Sequence, residues 1–261
     1  MLKYFTEIGY PRKEYQYIIP HPQFANLFYS SYHINMRILL VRHGEPDMKE
    51  YTSGKDGTYG EWLKKYNASG IRQEMRPPEE LLKLIEDVDV LISSDLKRAL
   101  DSARLLAGNK VIMQNPIFRE FELPENKKKY PKFSPEIWST IFRILWFTGY
   151  SNKSENFTDA KIRIKDSAEK LEDLAIKHSE IVLVGHGLMN RFIGMELKKQ
   201  GWKKRRNGGK GYWCYFEYTK PAPEIPAEDK EYLKTNQKTE ARSQKRPKIR
   251  KTKPDKVNSY L

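Results

Sequence analysis

The hydrophobic positions of this chain fall into short continuous runs separated by amphipathic segments. Four apolar runs are typical of strands and cover residues 36–41, 88–93, 109–114 and 180–185. Continuous apolar runs suit strands that are covered on both faces. Because helical patterns lie between the runs, the sequence predicts an α/β fold: a three-layer sandwich around a mostly parallel central sheet.

Two stretches between these strands carry an apolar stripe at helical spacing. The first stripe covers residues 96–107, follows the candidate caps Ser93 and Ser94, and stops at Gly108. The second stripe predicts a helix over about residues 158–178. Each stripe provides one face that can pack on the sheet.

Three other segments have patterns that leave alternatives open. Residues 137–150 are apolar nearly all round at helical spacing, which favours a buried helix over an aromatic-lined cap above a substrate pocket. Residues 212–218 alternate aromatic side chains and predict a closing edge strand. The basic segment 198–210 is interpreted as solvated surface. Contact with nucleic acid, through this segment and through the basic tail beyond residue 220, is the less favoured alternative.

Composition divides the chain into one domain with an extension at each end. Residues 1–35 are rich in Tyr and Pro without a clear period and predict an N-terminal extension. Residues 221–261 are rich in Pro and charge, a composition that buries too little apolar surface to order itself, so we predict a disordered basic tail. The segment 36–220 remains as a single domain of ordinary size.

The net charge, the cysteine count and the length of the apolar runs narrow the possible partners and the cellular compartment. A formal net charge of +14 favours anionic partners. Cys214 is the single cysteine, so no intrachain disulfide and no CxxC-type metal site can form. No run approaches the roughly 20 apolar residues of a membrane span, and the N-terminus lacks a signal pattern, so we predict a cytoplasmic protein without membrane contact.

Polar residues that could take part in a reaction follow each of the predicted parallel strands. The triplet 42–44, Arg-His-Gly, ends the first strand, and His186 ends the fourth. Arg98 lies in the first turns of the helix after the second strand, and Glu120 follows the third. Ligand sites in parallel sheets form beyond the carboxyl ends of the strands, so we expect these residues to converge.

The residue types expected at this edge of the sheet are those that could carry out phosphoryl transfer. A neutral His43 imidazole can attack phosphorus, while Arg42 and Arg98 can hold the nonbridging oxygens and keep His43 deprotonated. His186, at a helix N-terminus, adds a donor where anions bind well. Glu120 could protonate the leaving alcohol and then activate water, a role worth about 10²- to 10⁴-fold in rate. This chemistry requires neither a metal nor another cofactor.

Four segments carry a family resemblance: VRHGE (41–45), SSDLKRALDSA (93–103), FRE (118–120) and VLVGHG (182–187). In that order they resemble the signature segments of the histidine phosphatase superfamily, which has the phosphoglycerate mutase-like fold. The resemblance covers roughly residues 36–220. It implies that His43 is the phosphorylated nucleophile, that Arg42, Arg98 and His186 complete the phosphate pocket, and that Glu120 is the proton donor without any metal.

Two further residues are assigned to substrate binding. Gly44 belongs to the Arg-His-Gly triplet beside the expected phosphate. Glu155 lies in GYSNKSENF (149–157), one of several stretches that resemble a bacterial branch of histidine phosphatase family proteins, and there it is expected at the pocket rim. An exposed loop carboxylate is an equally weighted interpretation of Glu155.

Departures from the family pattern favour hydrolysis of a small phosphorylated substrate. EPDM follows the Arg-His-Gly triplet and no Asn occurs after it before Asn67, although many mutases and bisphosphatases hold phosphate with an Asn in this region. The Gly-x-Trp-Glu-Gly stretch that mutases carry after the acid is replaced by ELPENKKKYP. A phosphoglycerate-type mutase and a non-catalytic module for a phospholigand or nucleic acid remain the alternatives. The natural substrate, the oligomeric state and the choice of Glu120 or Glu122 as the acid stay open.

Overall fold

The computed structural model describes residues 35–48, 58–124, 133–151 and 154–223. Its strands are β1 (Asn35–Arg42), β2 (Val90–Ser93), β3 (Val111–Gln114), β4 (Glu180–Gly185), β5 (Lys203–Gly208) and β6 (Tyr215–Pro221). Its helices are α1 (Tyr59–Ala68), α2 (Glu79–Leu84), α3 (Lys97–Ala107), α4 (Pro135–Phe147), α5 (Phe157–His178) and α6 (Gly187–Lys199), with a 3-10 turn at Pro116–Phe118. The predicted N-terminal extension up to residue 34 and the predicted tail beyond residue 223 lie outside the described residues.

The strands form one sheet in the order β3-β2-β4-β1-β6-β5. β1, β4, β2 and β3 pair in parallel, and β6 pairs antiparallel with β1. The mostly parallel central sheet predicted from the four apolar runs is therefore confirmed. Parallel pairing places the carboxyl ends of β1, β2 and β4 at one edge of the sheet.

The prediction that residues 212–218 form a closing edge strand is wrong. β6 lies inside the sheet, between β1 and β5, and β5 occupies the outer edge. β5 comes from the basic segment 198–210, and its first five residues are exposed. A strand of Lys, Arg and Asn has no apolar alternation to reveal it, while such charges suit an edge that must not pair with another chain. Contact of this segment with nucleic acid stays a prediction.

Helices cover both faces of the sheet, which confirms the three-layer sandwich. Along β1, Ile38 and Leu40 point into a core formed with α5 and α6, whereas Leu39 and Val41 point into a second core formed with α2 and α3. This alternation follows from the two-residue period of a strand. Burial on both faces explains the continuous apolar runs of β1, β2 and β4. The same expectation is wrong for the run at residues 109–114, because β3 is an edge strand and is largely exposed.

The helix predicted over residues 137–150 forms as α4, but the prediction that it is wholly buried is wrong. Trp138, Phe142 and Trp146 are its buried large side chains, whereas Ile144 is 60% exposed. Together with Tyr59 and Leu123, the first two of these form a small separate core between α1 and α4. In the part of the chain that the structure describes, no helix is both long and apolar enough to cross a bilayer.

Two helix starts show how local chemistry fixes the elements around the site. The N-cap of α3 is Leu96, which makes no side-chain cap, so the predicted capping roles of Ser93 and Ser94 are not observed. α5 begins after Asn156, whose side chain accepts a hydrogen bond of 2.9 Å from the Asp159 N–H. This start lies within one residue of the predicted helix.

Candidate active site

Two buried histidine rings meet beyond the carboxyl ends of β1 and β4. His43 directly follows β1, and His186 directly follows β4. The paired register of the two strands brings the rings to a centroid separation of 5.1 Å in an edge-to-face arrangement. Both side chains are almost fully buried, with exposures of 2% and 0%.

The orientation of His43 is set by its neighbour Gly44. His43 Nδ1 lies 2.7 Å from the Gly44 carbonyl oxygen, so Nδ1 carries the proton and donates it there, and Nε2 keeps its lone pair. The Gly44 N–H donates to the Ser102 hydroxyl at 2.8 Å. A Cβ on Gly44 would lie 2.7 Å from Cζ2 of Trp213, so a larger residue does not fit. Gly44 thus contacts His43 and is absent from the cavity lining.

The surroundings of His43 keep its ring neutral. Burial is the largest cause, and together with the charges of Arg98 and Arg42 it lowers the pKa of His43 to about 3, against the opposing hydrogen bond to Gly44. A neutral ring with Nδ1 already bonded leaves Nε2 as a free nucleophile at neutral pH.

His186 is held from behind by a serine. Its Nε2 lies 2.7 Å from the Ser94 hydroxyl, and that hydroxyl also accepts the Leu96 N–H at 3.4 Å. This contact with Ser94 fixes the orientation of the His186 ring through Nε2. Nδ1 is buried without a hydrogen-bond partner among the described residues. Burial, then the charge of Arg98, lowers the pKa of His186 well below its ordinary value.

Two tyrosine rings back the arginines of the site. The guanidinium carbon of Arg42 lies 4.5 Å from the ring centroid of Tyr212, and that of Arg98 lies 4.4 Å from the ring of Tyr66. Arg98 also donates to the Tyr66 carbonyl at 3.2 Å and to Asn67 Oδ1 at 3.4 Å. Neither arginine forms an ion pair with a described carboxylate, and the Nε of each is buried without a partner. A tetrahedral anion would satisfy these donors and neutralise both charges.

The Glu120 side chain is held at the start of α6. Its two carboxylate oxygens accept the backbone N–H groups of Leu188 and Met189 at 3.2 and 3.0 Å. Glu122 also faces the cavity, but no hydrogen bond to its side chain is seen within the described ranges. Glu120 is therefore the more firmly positioned of the two carboxylates.

Glu155 is placed away from the cavity wall. Its carboxylate is held by both Nε and Nη2 of Arg163 at 2.6 Å each, and its backbone carbonyl accepts the Trp146 indole N–H at 2.7 Å. Glu155 is absent from the cavity lining, and its role in binding substrate stays a prediction. In this structure Glu155 ties the start of α5 to the end of α4 instead.

A cavity of about 1320 Å³ opens above these residues. Arg42, His43, Arg98 and Glu120 form its base, while α1 and α4 contribute much of its outer wall. His186 lies behind this first layer of side chains and does not line the cavity. Within the described ranges, no group of three or more His, Cys, Asp or Glu side chains is arranged to hold a metal ion.

Several residues of the site were not predicted from the sequence. Ser94 was interpreted as a helix cap, whereas it bonds His186, and Ser102 had no assigned role. The arginine-backing residues Tyr66 and Tyr212 come from α1 and from the loop before β6. No motif marks them, because the contact depends on a tertiary approach between segments that are distant in sequence.

Comparison with known proteins places this site in a family. No curated protein sequence gives a significant match. Among solved structures, a mycobacterial glucosyl-3-phosphoglycerate phosphatase is 17% identical with a TM-score of 0.48, over 71% of this chain and 90% of that one. A putative α-ribazole-5'-P phosphatase from Escherichia coli is 16% identical with a TM-score of 0.44, over 62% and 79%. Residues 38–225 match the histidine phosphatase superfamily (branch 1), and the chain belongs to that superfamily.

Proposed function

We propose that this protein is a phosphomonoester hydrolase that works through a phosphohistidine intermediate on a small phosphorylated substrate. The observation that carries the proposal is the hydrogen bond from His43 Nδ1 to the Gly44 carbonyl, at 2.7 Å. It leaves Nε2 unprotonated in a cavity whose base also holds Arg42 and Arg98. The side chains at hand supply a nucleophile, two cations and an acid, so the steps need no metal ion.

In the first half of the reaction the phosphoryl group moves to His43. Nε2 attacks phosphorus and forms a P–N bond while the bond to the ester oxygen breaks. Arg42 and Arg98 hold the nonbridging oxygens, on which negative charge is spread in the transition state. Glu120 gives its proton to the departing oxygen, so the alcohol leaves neutral.

In the second half the phosphohistidine is hydrolysed. The Glu120 carboxylate takes a proton from a water molecule as the water oxygen attacks phosphorus, and the P–N bond breaks. His43 returns to the neutral form with its lone pair on Nε2, and inorganic phosphate is released. Glu120 is again protonated, which closes the cycle.

Hydrolysis is favoured over phosphate transfer between two positions of one molecule. The superfamily consists mostly of phosphatases and mutases, so both outcomes are open at the level of the family. ELPENKKKYP (122–131) stands where mutases carry the Gly-x-Trp-Glu-Gly stretch after the acid. Measuring release of inorganic phosphate from a phosphorylated sugar acid, against its conversion to the positional isomer, decides between the two.

The direct test of the proposal is to remove the nucleophile. We expect His43→Ala to lose at least about 10³-fold in turnover of phenyl phosphate, because covalent catalysis acts as a unit with the acid. Rapid quenching of the wild type with labelled substrate should trap an acid-labile phosphoryl group that this variant lacks. Undiminished turnover in a folded His43→Ala protein would overturn the proposal.

A further inference from the structure

Every polar side chain of α4 faces the cavity. The helix, PEIWSTIFRILWF, carries four polar residues, and their spacing of i, i+3, i+4 and i+7 places them on one face. These residues, which we call the α4 polar face, are Glu136, Ser139, Thr140 and Arg143, and all four line the cavity. Glu136, Thr140 and Arg143 are exposed, so this face is accessible to a polar ligand that enters the cavity.

The orientation of the α4 polar face is fixed by packing against α1. The Tyr59 and Ser139 hydroxyls lie 3.1 Å apart in a hydrogen bond. The Tyr59 ring also stacks on Phe142 with a centroid separation of 5.0 Å. Trp138, Phe142 and Trp146 hold the other side of the helix in the protein. The polar face is therefore built into the fold and not a chance rotation of a loosely held helix.

Internal hydrogen bonds already occupy half of this face. Ser139 is bonded to Tyr59, and the Thr140 hydroxyl donates to the Glu136 carbonyl at 2.8 Å. The two charged residues are left, and they lie seven positions apart, which is about 10 Å along a helix. Glu136 is in the first turn, where the helix dipole favours a negative charge. Arg143 lies in the second half of α4, seven residues after Glu136.

The charge of Arg143 is not neutralised within the described residues. Arg119, which lines the cavity, is paired with Asp95, and Arg163 is paired with Glu155. Arg191 also lines the cavity, on α6, and has no ion pair within the described residues. Arg143 forms no ion pair or hydrogen bond with any residue that the structure describes, although it lines the same cavity as the catalytic group His43. A guanidinium presented this way binds carboxylate or phosphate groups through two parallel hydrogen bonds.

We infer that the α4 polar face is a second anion-binding subsite, and that the substrate is a phosphomonoester whose leaving group bears a further carboxylate or phosphate bound by Arg143. This inference rests on the proposed function, since the first phosphate occupies Arg42 and Arg98. The cavity of about 1320 Å³ has room for a leaving group much larger than the transferred phosphoryl group. Arg143 is a specificity residue here and takes no part in the bond changes.

The experiment uses substrates that differ in the second anion and in its distance from the reacting phosphate. The probes are the bisphosphates of straight-chain diols with about three to eight carbons, each compared with the monophosphate of the same diol. A symmetric bisphosphate has two equivalent esters, so a twofold higher kcat/KM is the statistical baseline. We expect the full-length wild type to exceed this baseline by about 10-fold or more at one favoured length, mainly through KM.

Variants assign that preference to Arg143. Arg143→Gln should reduce the ratio of bisphosphate to monophosphate kcat/KM to the statistical baseline, and Arg143→Lys should restore part of it. Arg104→Gln is the matched control, because Arg104 is exposed on α3, pairs with Asp101 and does not line the cavity. The control should keep the wild-type ratio at every length.

The outcomes separate this inference from the proposed function. If the wild type hydrolyses monophosphates but shows only the statistical ratio at all lengths, the second subsite is rejected and the hydrolase proposal stands. If Arg143→Gln lowers kcat/KM equally for both members of each pair, Arg143 supports the fold and the inference is wrong. If no phosphate ester is hydrolysed, the proposed function itself fails.

Discussion

The two nitrogens of the His43 ring differ in protonation because of one backbone contact. Nδ1 donates to the Gly44 carbonyl at 2.7 Å, which fixes both the ring orientation and the tautomer. Gly44 can approach this closely only without a side chain, since Trp213 fills the space that a Cβ would need. The orientation of the proposed nucleophile therefore depends on a glycine that does not line the cavity.

We predict that Glu120, rather than Glu122, is the proton donor. The amides of Leu188 and Met189 hold Glu120 at the start of the helix that follows His186, so its carboxyl group has a fixed position in the site. Glu120→Gln should lower kcat for an alkyl phosphate by about 10²- to 10⁴-fold. The loss should be smaller for p-nitrophenyl phosphate, whose leaving group needs no proton.

Glu122→Gln is the matched control for this prediction. The side chain lines the same cavity two residues away and carries the same charge, so a general electrostatic effect would appear in both variants. We expect the Glu122 variant to stay within about threefold of wild type on both substrates. A leaving-group dependence found in the Glu122 variant instead would reverse the assignment.

At the scale of elements, α1 connects the cap of the cavity to the phosphate site through stacked rings. Phe142 stacks on Tyr59 at 5.0 Å, Tyr59 on Trp62 at 5.8 Å, and Trp62 on Tyr66 at 5.0 Å. The Arg98 guanidinium completes the series at 4.4 Å from the Tyr66 ring. This aromatic column orients a buried cation that has no described carboxylate partner.

The aromatic column predicts that Tyr66 is a positioning residue for Arg98. Tyr66→Ala should lower kcat/KM for phenyl phosphate by about 10-fold, since a desolvated cation–π contact is worth up to about 2 kcal/mol. Tyr66→Phe keeps the ring and should retain nearly wild-type activity. The affinity for inorganic phosphate, measured by calorimetry, should fall with activity in the Ala variant. Unchanged phosphate affinity in a folded Tyr66→Ala protein would contradict this role.

The elements also show what the sequence could and could not predict. β1, β2, β4 and α5 were predictable because their apolar runs and helical stripe report burial directly. The run that forms β3 predicted the strand but not its exposure. His43, Arg98, Glu120 and His186 could be placed near one another because parallel strands end at one edge. β5 was not predicted, because this edge strand is largely exposed and has no apolar alternation in its sequence. The roles of Tyr66 and Ser94 escaped it since they arise from contacts between distant segments.

At the scale of the whole molecule, the site lies at the edge of a sheet whose two faces are covered by helices, and its two histidine rings are almost fully buried. His43 and His186 are 2% and 0% exposed. Such rings must stay neutral while the protein is folded, but they bind protons freely once it unfolds. The stability of the whole fold is therefore coupled to pH through the catalytic site.

This coupling predicts a loss of stability in acid that His43 partly controls. Burial, Arg98 and Arg42 lower the pKa of His43 to about 3 in the folded protein, whereas an unfolded histidine has a pKa of about 6.5. Between these values the unfolded state binds more protons, so stability is full above about pH 6.5 and falls as the pH drops toward 3. The slope from one such group is about 1.4 kcal/mol per pH unit.

Urea denaturation of the wild type and of His43→Asn, between pH 7 and pH 4.5, measures this contribution. Asparagine can still donate to the Gly44 carbonyl but does not titrate in this range. The unfolded variant therefore lacks the proton that the unfolded wild type takes up at His43. The difference in unfolding free energy between the two proteins should shift by about 2–3 kcal/mol across the interval, in favour of the variant at low pH. Carboxylates titrate in both proteins and cancel in the difference. Parallel curves would mean that the pKa of His43 is the same in the folded and the unfolded protein, which would contradict the predicted coupling.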